Sequence, residues 1–351
     1  MNRTLLHFNE LAASGLIAAD SAPALQAVVE KFQVAITPAM LGLIDQAHDS
    51  GGDAIAAQFV PDAREAQVAP EELADPIGDS AHAPLKGIVH RYADRVLLKP
   101  THVCAVYCRF CFRREQVGGD GEILNEAELA AALDYIRARP AIFEVILSGG
   151  DPLVLSPRRL GRIVAAISAI EHVKVLRYHT RLPVAAPERI DTQLIAAIKG
   201  RQASYVVLHA NHARELSDAA LAACARIIDA GMPMLSQTVL LQGVNDDAAT
   251  LEQLFRALVA NRIKPYYLHH PDLARGTSHF RGPIAQGRAL MKQLRGRLSG
   301  IAQPAYVLDI PGGHGKVPLT ADYVHEGDAG TEIEAPDGTR HLYPPRQPKS
   351  K

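Results

Sequence analysis

The chain predicts an α/β fold organised as a parallel barrel or partial barrel. Two observations carry this. From about residue 94, apolar β-branched runs (DRVLLKP, FEVILSGG, VKVLRYHT, SYVVLHAN, MLSQTVLL, KPYYLHH) alternate with helix-patterned segments. The ends of these runs, Ser148, His179, His209, Val239 and His269, lie 30 or 31 residues apart, the length of one βα unit. About six such units make a barrel or part of one. A doubly wound open sheet has the same periodicity and is the alternative.

The elements follow in order. Residues 1–90 are Ala-rich, amphipathic and interrupted by prolines, so an N-terminal helical region is expected. Residues 91–310 carry the repeating units. Asn125 stands before EAELAAALDYIRAR, Ser156-Pro157 opens RRLGRIVAAISAI, and Ser217 opens DAALAACARIIDA, which Gly231 closes. A short polar side chain at each N-cap accepts a backbone N–H left over by the first helical turn. Residues 311–351 are rich in Gly and Pro and then strand-like, forming a C-terminal segment that holds a lysine loop. Polar residues gather where the strands end: Ser148-Gly149-Gly150-Asp151, His179, His209, Asn211, Gln237 and His269. In parallel βα folds that rim is where the chemistry sits.

The chain has 351 residues, 48% hydrophobic and 21% charged, with net charge −1, which describes a globular protein with no nucleic-acid partner. No apolar run approaches the roughly 18–20 residues that span a bilayer, and no secretion leader is expected. A cytoplasmic location follows as the expectation.

Three of the four cysteines, Cys104, Cys108 and Cys111, fall in THVCAVYCRFCFRR with the spacing C-x3-C-x2-C. Three thiols this close cannot all pair as disulfides. A zinc site needs a fourth ligand from elsewhere, and buried free thiols are the plain alternative. A cubane iron–sulfur cluster normally takes four cysteines, so three leave one iron open to a small molecule. Ser148-Gly149-Gly150-Asp151-Pro152 ends a strand with glycines that let a backbone approach a ligand, and with an acid able to receive an ammonium. Asp309-Ile310-Pro311-Gly312-Gly313-His314-Gly315-Lys316 places a lysine in a Gly-rich loop. Lys316 could bind a phosphate or condense with a carbonyl. Val317 follows it, so the loop lacks the hydroxyl of a nucleotide phosphate loop.

The cysteine spacing matches the signature of radical S-adenosylmethionine enzymes. From about Asp75 to Pro318, HRYADRVL, the cysteine run, LSGGDPL, YHTRLPV, QTVLLQGVND, KPYYLHHPDL, HFRGP and DIPGGHGKVP occur in that order. Together they resemble the lysine 2,3-aminomutase family, whose members also carry pyridoxal phosphate. The resemblance implies a partial (β/α)6 radical S-adenosylmethionine barrel. It implies a [4Fe–4S] cluster on Cys104, Cys108 and Cys111, with S-adenosylmethionine on its open iron, and Phe110 against the adenine. Gly149, Gly150, Asp151, His209 and Gln237 would hold the cosubstrate. Lys316 would hold pyridoxal phosphate covalently, Arg91 and Arg95 would clamp its phosphate, and Tyr92 would contact its ring. Arg113 would pair with the amino-acid carboxylate, and Asp272 and Asp309 would receive the distant ammonium of a lysine side chain. Two acids there favour a cationic side chain over that of glutamate.

The implied reaction is an isomerisation: the α-amino group of L-lysine moves to the β-carbon to give β-lysine, with an electron supplied by a flavodoxin or ferredoxin. Longer family members end in a zinc-binding tail. Here no cysteine follows Cys224, and Asp247 stands where a zinc-ligand cysteine is expected. The short branch that serves a lysine of elongation factor P also lacks that tail, so free L-lysine and elongation factor P both stand as substrates. A non-catalytic iron–sulfur protein is the third reading.

Overall fold

The computed structural model describes residues 3–17, 22–45, 52–118, 123–327 and 330–343. Nine strands form one sheet in chain order: β1 (Ile88–Tyr92), β2 (Arg95–Thr101), β3 (Glu144–Gly149), β4 (Val175–Thr180), β5 (Ala203–His209), β6 (Met234–Val239), β7 (Ile263–His269), β8 (Ala305–Ile310) and β9 (Gly315–Pro318). Strands β2 to β8 run parallel. An antiparallel strand closes each edge, β1 on β2 and β9 on β8. Helices Glu126–Arg137, Pro157–Ser168, Thr192–Ile198, Asp218–Asp229, Ala248–Ala260 and Ile284–Arg295 cross over between successive parallel strands, giving the six βα units that the 30-residue period predicts. The outermost strands approach each other: the Lys316 backbone N–H on β9 donates to Tyr92 Oη on β1 at 2.8 Å. The sheet is thus a nearly closed barrel with a seam between β1 and β9.

Strands β1, β8 and β9 lie outside the six runs read from the sequence. β1 and β9 are only five and four residues long, and all three carry a charged residue that lines the cavity (Arg91, Asp309, Lys316), which breaks the apolar pattern that marks a buried parallel strand.

The helix starts are fixed as their caps predict. Asn125 accepts from Glu128 N, Ser156 from Arg159 N and Ser217 from Ala220 N. Asp247 has a cap's work too, accepting from Ala249 N and Thr250 N at the head of Ala248–Ala260. Helix Pro157–Ser168 buries Leu160, Ile163, Val164 and Ile167, the three-to-four-residue spacing of one helical face. Removing one such leucine costs about 2–5 kcal/mol. Along β4 the faces alternate. Leu176 and Tyr178 are buried under the helices, while Arg177 and His179 face the barrel interior. The interior is therefore polar where it serves chemistry, and the apolar core lies between strands and helices.

Before β1 the chain forms short helices, Phe8–Ala13, Ala22–Lys31, Pro38–Leu41 and Ala56–Phe59. After β9 a separate antiparallel sheet, β10 (Val324–Gly327), β11 (Gly330–Glu334) and β12 (Arg340–Tyr343), is tied to helix Ile284–Arg295 by the ion pair Lys292–Glu334, and the segment leading into it by Arg288–Asp322. No described helix is long and apolar enough to cross a membrane.

Candidate active site

The barrel encloses a cavity of ≈ 740 Å³ at the C-terminal ends of its parallel strands. The residues given a cofactor or substrate role by the resemblance line it: Arg91, Tyr92, Arg95, Cys104, Cys108, Cys111, Arg113, Gly149, Gly150, Asp151, His209, Gln237, Asp272, Asp309 and Lys316, whereas Asn211, just past the end of β5, does not. They fall into two groups, one around the cysteines and one at the seam.

The cysteines lie in the loop that leaves β2, and that loop is held on several sides. Gly150 N donates to Thr101 O at 2.8 Å and Asp151 N to Val103 O at 2.9 Å, so the end of β3 pairs with the start of the loop. A Cβ on Gly150 would stand 2.3 Å from Val103 O, closer than real Cβ contacts allow. Only glycine permits this approach. On the other side Glu65, fully buried, pairs with Arg109 at 2.6 Å and with Arg114. Burial pushes all three thiols up, Cys111 to about 11; the charge of Asp151 adds to the rise at Cys104, that of Cys108 at Cys111. A bound metal reverses that balance, because a coordinated thiol is deprotonated. Among the described residues no three Cys, His, Asp or Glu side chains converge on one ion. A cubane instead takes each thiolate on a different iron, and three thiols on one braced loop at one cavity wall fit it.

Asp151 has a different task from the one its motif suggests. Its carboxylate accepts from Leu153 N, Thr180 Oγ1, Arg181 N and Leu182 N at 2.8–3.1 Å, which ties the end of β3 to the turn after β4. Its oxygens are thus occupied. His209 and Gln237 sit opposite each other in the β5–β6 register. Burial and the Arg181 charge hold His209 neutral, and its Nε2 is buried without a partner. Phe110 lies against the His209 ring at 5.6 Å and edge-on to Phe280 at 6.1 Å, an aromatic recess on the cysteine side.

At the seam, β8 and β9 place Asp309 directly opposite Lys316. The two form an ion pair, and Lys316 Nζ also lies 3.2 Å from His269 Nδ1. Burial would raise the Asp309 carboxyl, but His269 and Lys316 overcome it and hold it well below the carboxylate range. Asp272 is in the reverse position: burial and the neighbouring Asp309 charge push it up to about 7. The hairpin that carries Lys316 turns through Gly312 and Gly313 at φ +83° and +86°. A Cβ on Gly313 would meet the His82 ring at 2.7 Å, since the turn packs on residues 78–82. Tyr92, besides accepting from Lys316 N, carries the Arg95 guanidinium 3.8 Å from its ring centre. Arg91 donates to Ile77 O at 2.6 Å and lies 3.8 Å from Asp309, with its Nε buried and unpartnered.

Arg113 bridges the two groups. Its Nε and Nη2 donate to Asp79 Oδ2 at 2.9 and 2.8 Å, leaving Nη1 with only a long 3.4 Å contact to Ser148 Oγ. Asp79 is buried; Arg113 and Lys99 keep it charged against that burial. Asp79 was not legible in the sequence, because it lies in an irregular stretch before β1 and pairs across 34 residues. Arg181, Glu215 and Gln58 were missed likewise. The available signal for Arg181 was its place in YHTRLPV, one residue past the end of β4.

The comparisons agree with this geometry. The Radical SAM superfamily pattern matches residues 98–254, and the Lysine-2,3-aminomutase pattern matches residues 291–330. The L-lysine 2,3-aminomutase of Clostridium subterminale is 39% identical over 84% of this chain and 71% of its own. That of Methanococcus maripaludis is 39% identical over 86% and 69%. The glutamate 2,3-aminomutase of Clostridioides difficile is 35% identical over 86% and 70%. With three thiols on a braced loop, a lysine at the barrel seam and likeness along most of its length, this chain belongs to the lysine 2,3-aminomutase family, as a radical S-adenosylmethionine isomerase whose chemistry uses a [4Fe–4S] cluster and S-adenosylmethionine on an amino acid.

Proposed function

We propose that the chain is a lysine 2,3-aminomutase that converts free L-lysine to β-lysine, with pyridoxal phosphate on Lys316. The observation that carries the substrate choice is the acid pair. Asp272 and Asp309 share one end of the cavity; Asp309 is paired with Lys316, whereas Asp272 is raised to about 7 by burial and the Asp309 charge, as expected of a carboxylate short of a cation. A distal ammonium supplies that cation. A glutamate side chain would add a third negative charge, so the glutamate-acting relative does not set the substrate here.

The seam residues fit the pyridoxal group. Arg91, Arg95 and Lys316 gather cationic charge beside Tyr92 and Tyr267, and the orphaned Arg91 Nε is a donor awaiting an anion. Lys316 would hold the group, with the two guanidiniums on its phosphate. His269, kept neutral by burial and the Lys316 charge, is placed to accept a hydrogen bond from Lys316 Nζ and orient it. Arg113, oriented by Asp79, offers Nη1 to the substrate carboxylate. The two acids would fix the far end, so the amino acid would be held at both ends. His209, Gln237 and the backbone of Gly149 and Gly150 would position the cosubstrate on the cluster of Cys104, Cys108 and Cys111, with Phe110 at the adenine. When bound, the cluster and cosubstrate supply radical initiation, and the pyridoxal ring supplies a conjugated system for the migrating nitrogen.

In this reading residues 1–90 buttress the site through Gln58, Glu65 and Asp79, residues 91–310 form the barrel, and residues 311–351 bring in the lysine hairpin. A flavodoxin or ferredoxin supplies the electron. The test is competition between equimolar L-lysine and L-glutamate over the reconstituted, reduced enzyme: L-lysine alone should be consumed. Consumption of L-glutamate at a comparable rate would refute the role given to the acid pair. Indifference to both, with the cosubstrate still cleaved, would move the substrate to the lysine of elongation factor P.

A further inference from the structure

We propose that Arg181 sets the reduction potential of the iron–sulfur cluster through its hydrogen bond to Cys108, with buried Glu215 as the counter-charge that limits the effect. The proposal rests on the cluster that family membership implies and assigns a task to side chains outside the cysteine motif. Arg181 follows β4, and its guanidinium is buried. Nη1 donates to Cys108 Sγ at 2.9 Å, while Nη2 donates to Glu215 Oε2 and Gln58 Oε1, both at 2.6 Å. The plane lies 4.6 Å from the Phe59 ring centre and 5.6 Å from that of Phe110. Among the described residues Cys108 is the one cluster cysteine whose sulfur receives a side-chain donor.

The arrangement is fixed from behind. Glu215 Oε1 accepts from Asn211 N at 2.8 Å, His212 N at 3.0 Å and Gln58 Nε2 at 3.2 Å. Gln58 Oε1 also accepts from Asn211 Nδ2 at 3.0 Å, and Gln58 O accepts from Arg109 N, the residue after Cys108, at 2.8 Å. Arg181 N is held by Asp151 at 2.8 Å. Three separate stretches of chain thus lock one cation against one sulfur. An arginine needed only to neutralise Glu215 would not require contact with a thiol.

The physical consequence has a sign. Reduction adds an electron to a cluster in a buried setting, where a nearby charge acts far more strongly than in water. Hydrogen bonds to cluster sulfurs and adjacent cations stabilise the reduced state and raise the potential. Arg181 touches the sulfur, whereas Glu215 stands behind it and opposes it. Removing either charge should move the potential, and in opposite directions.

The experiment compares wild type with Arg181→Met, Arg181→Lys and Glu215→Gln, each reconstituted with iron and sulfide. The midpoint potential is read by EPR-monitored redox titration without S-adenosylmethionine, alongside iron and sulfide content per chain. Arg181→Met should shift the potential downward, Arg181→Lys should shift it less, and Glu215→Gln should shift it upward, at unchanged cluster content. If Arg181→Met does not hold a cluster, the Arg181→Lys and Glu215→Gln shifts decide. Potentials equal to wild type, or shifts of one sign from both charge removals, would overturn the proposal. So would a shift seen only after the cosubstrate is added, which would assign Arg181 to the cosubstrate. A wild-type protein that takes up no cluster would overturn the cluster reading itself, and this proposal with it.

Discussion

Asp272 is where the substrate reading meets a titration. Its carboxyl is raised to about 7 by burial and by the Asp309 charge, far above its ordinary value. A substrate ammonium binds the ionised acid. Above pH 7 the acid is already ionised and affinity for L-lysine should be flat. Below pH 7 binding must first expel a proton, so affinity should fall, approaching tenfold per pH unit. Of the other groups at this end, Asp309 is held well below that window, and burial and the Lys316 charge lower His269 from the usual histidine range. KM for L-lysine between pH 5.5 and 8.5, as about three units of range, measures this directly. In Asp272→Asn the slope should vanish while KM at pH 8 rises. A slope that survives the substitution would place the titrating group elsewhere. The same residue shows how sequence and structure divide the work. Asp272 and Asp309 were readable as acids at expected motif positions. That Lys316 pairs with Asp309, leaving Asp272 to share its charge, depends on the β8–β9 register and was not readable.

At the scale of elements, the cysteine loop and the end of β3 form one unit. Gly150→Ala introduces a Cβ 2.3 Å from Val103 O, and the clash is with backbone, which cannot rotate away. The loop must shift, and the thiols with it. We expect the variant to keep its helical circular dichroism but to lose most of its capacity for iron and sulfide after reconstitution, because the barrel's apolar layer lies outside this contact. Full cluster content in Gly150→Ala would show that the loop adapts and that the β3 contact does not shape the site. The SGGDP motif was legible from the sequence, but its physics was not. A strand-end glycine pair reads as a surface for a ligand; that the glycines also admit the cysteine loop, and that Asp151 ties β3 to β4, appears only in the fold. Asp79, Glu65, Gln58 and Arg181 were invisible for a common reason. Each acts through a partner at least 34 residues away, and no local pattern marks such a pairing.

At the scale of the molecule, the 30-residue spacing was enough to predict six βα units, because hydrophobic periodicity and helix caps are local and the crossover rule does the rest. Closure was not predictable. It depends on β1 and β9, two short charged edge strands joined by Tyr92 and Lys316 rather than by an apolar pattern. That seam brings the lysine hairpin, from the far end of the chain, to within 3.8 Å of Arg91 through Asp309. One cavity then holds a thiol-bearing wall and a lysine-bearing wall, the arrangement an amino migration needs if radical initiation and nitrogen transfer are to meet on one substrate. The most direct measurement is an anaerobic turnover of L-lysine labelled with ¹⁵N at the α-amino group, using iron-reconstituted, reduced enzyme with S-adenosylmethionine and pyridoxal phosphate. Mass spectrometry and NMR would then locate the label in the product. The account predicts β-lysine with the label on the β-carbon and unlabelled nitrogen still at the side-chain end. Label released as ammonia, or L-lysine recovered unchanged from enzyme with a verified cluster and cosubstrate cleavage, would contradict it.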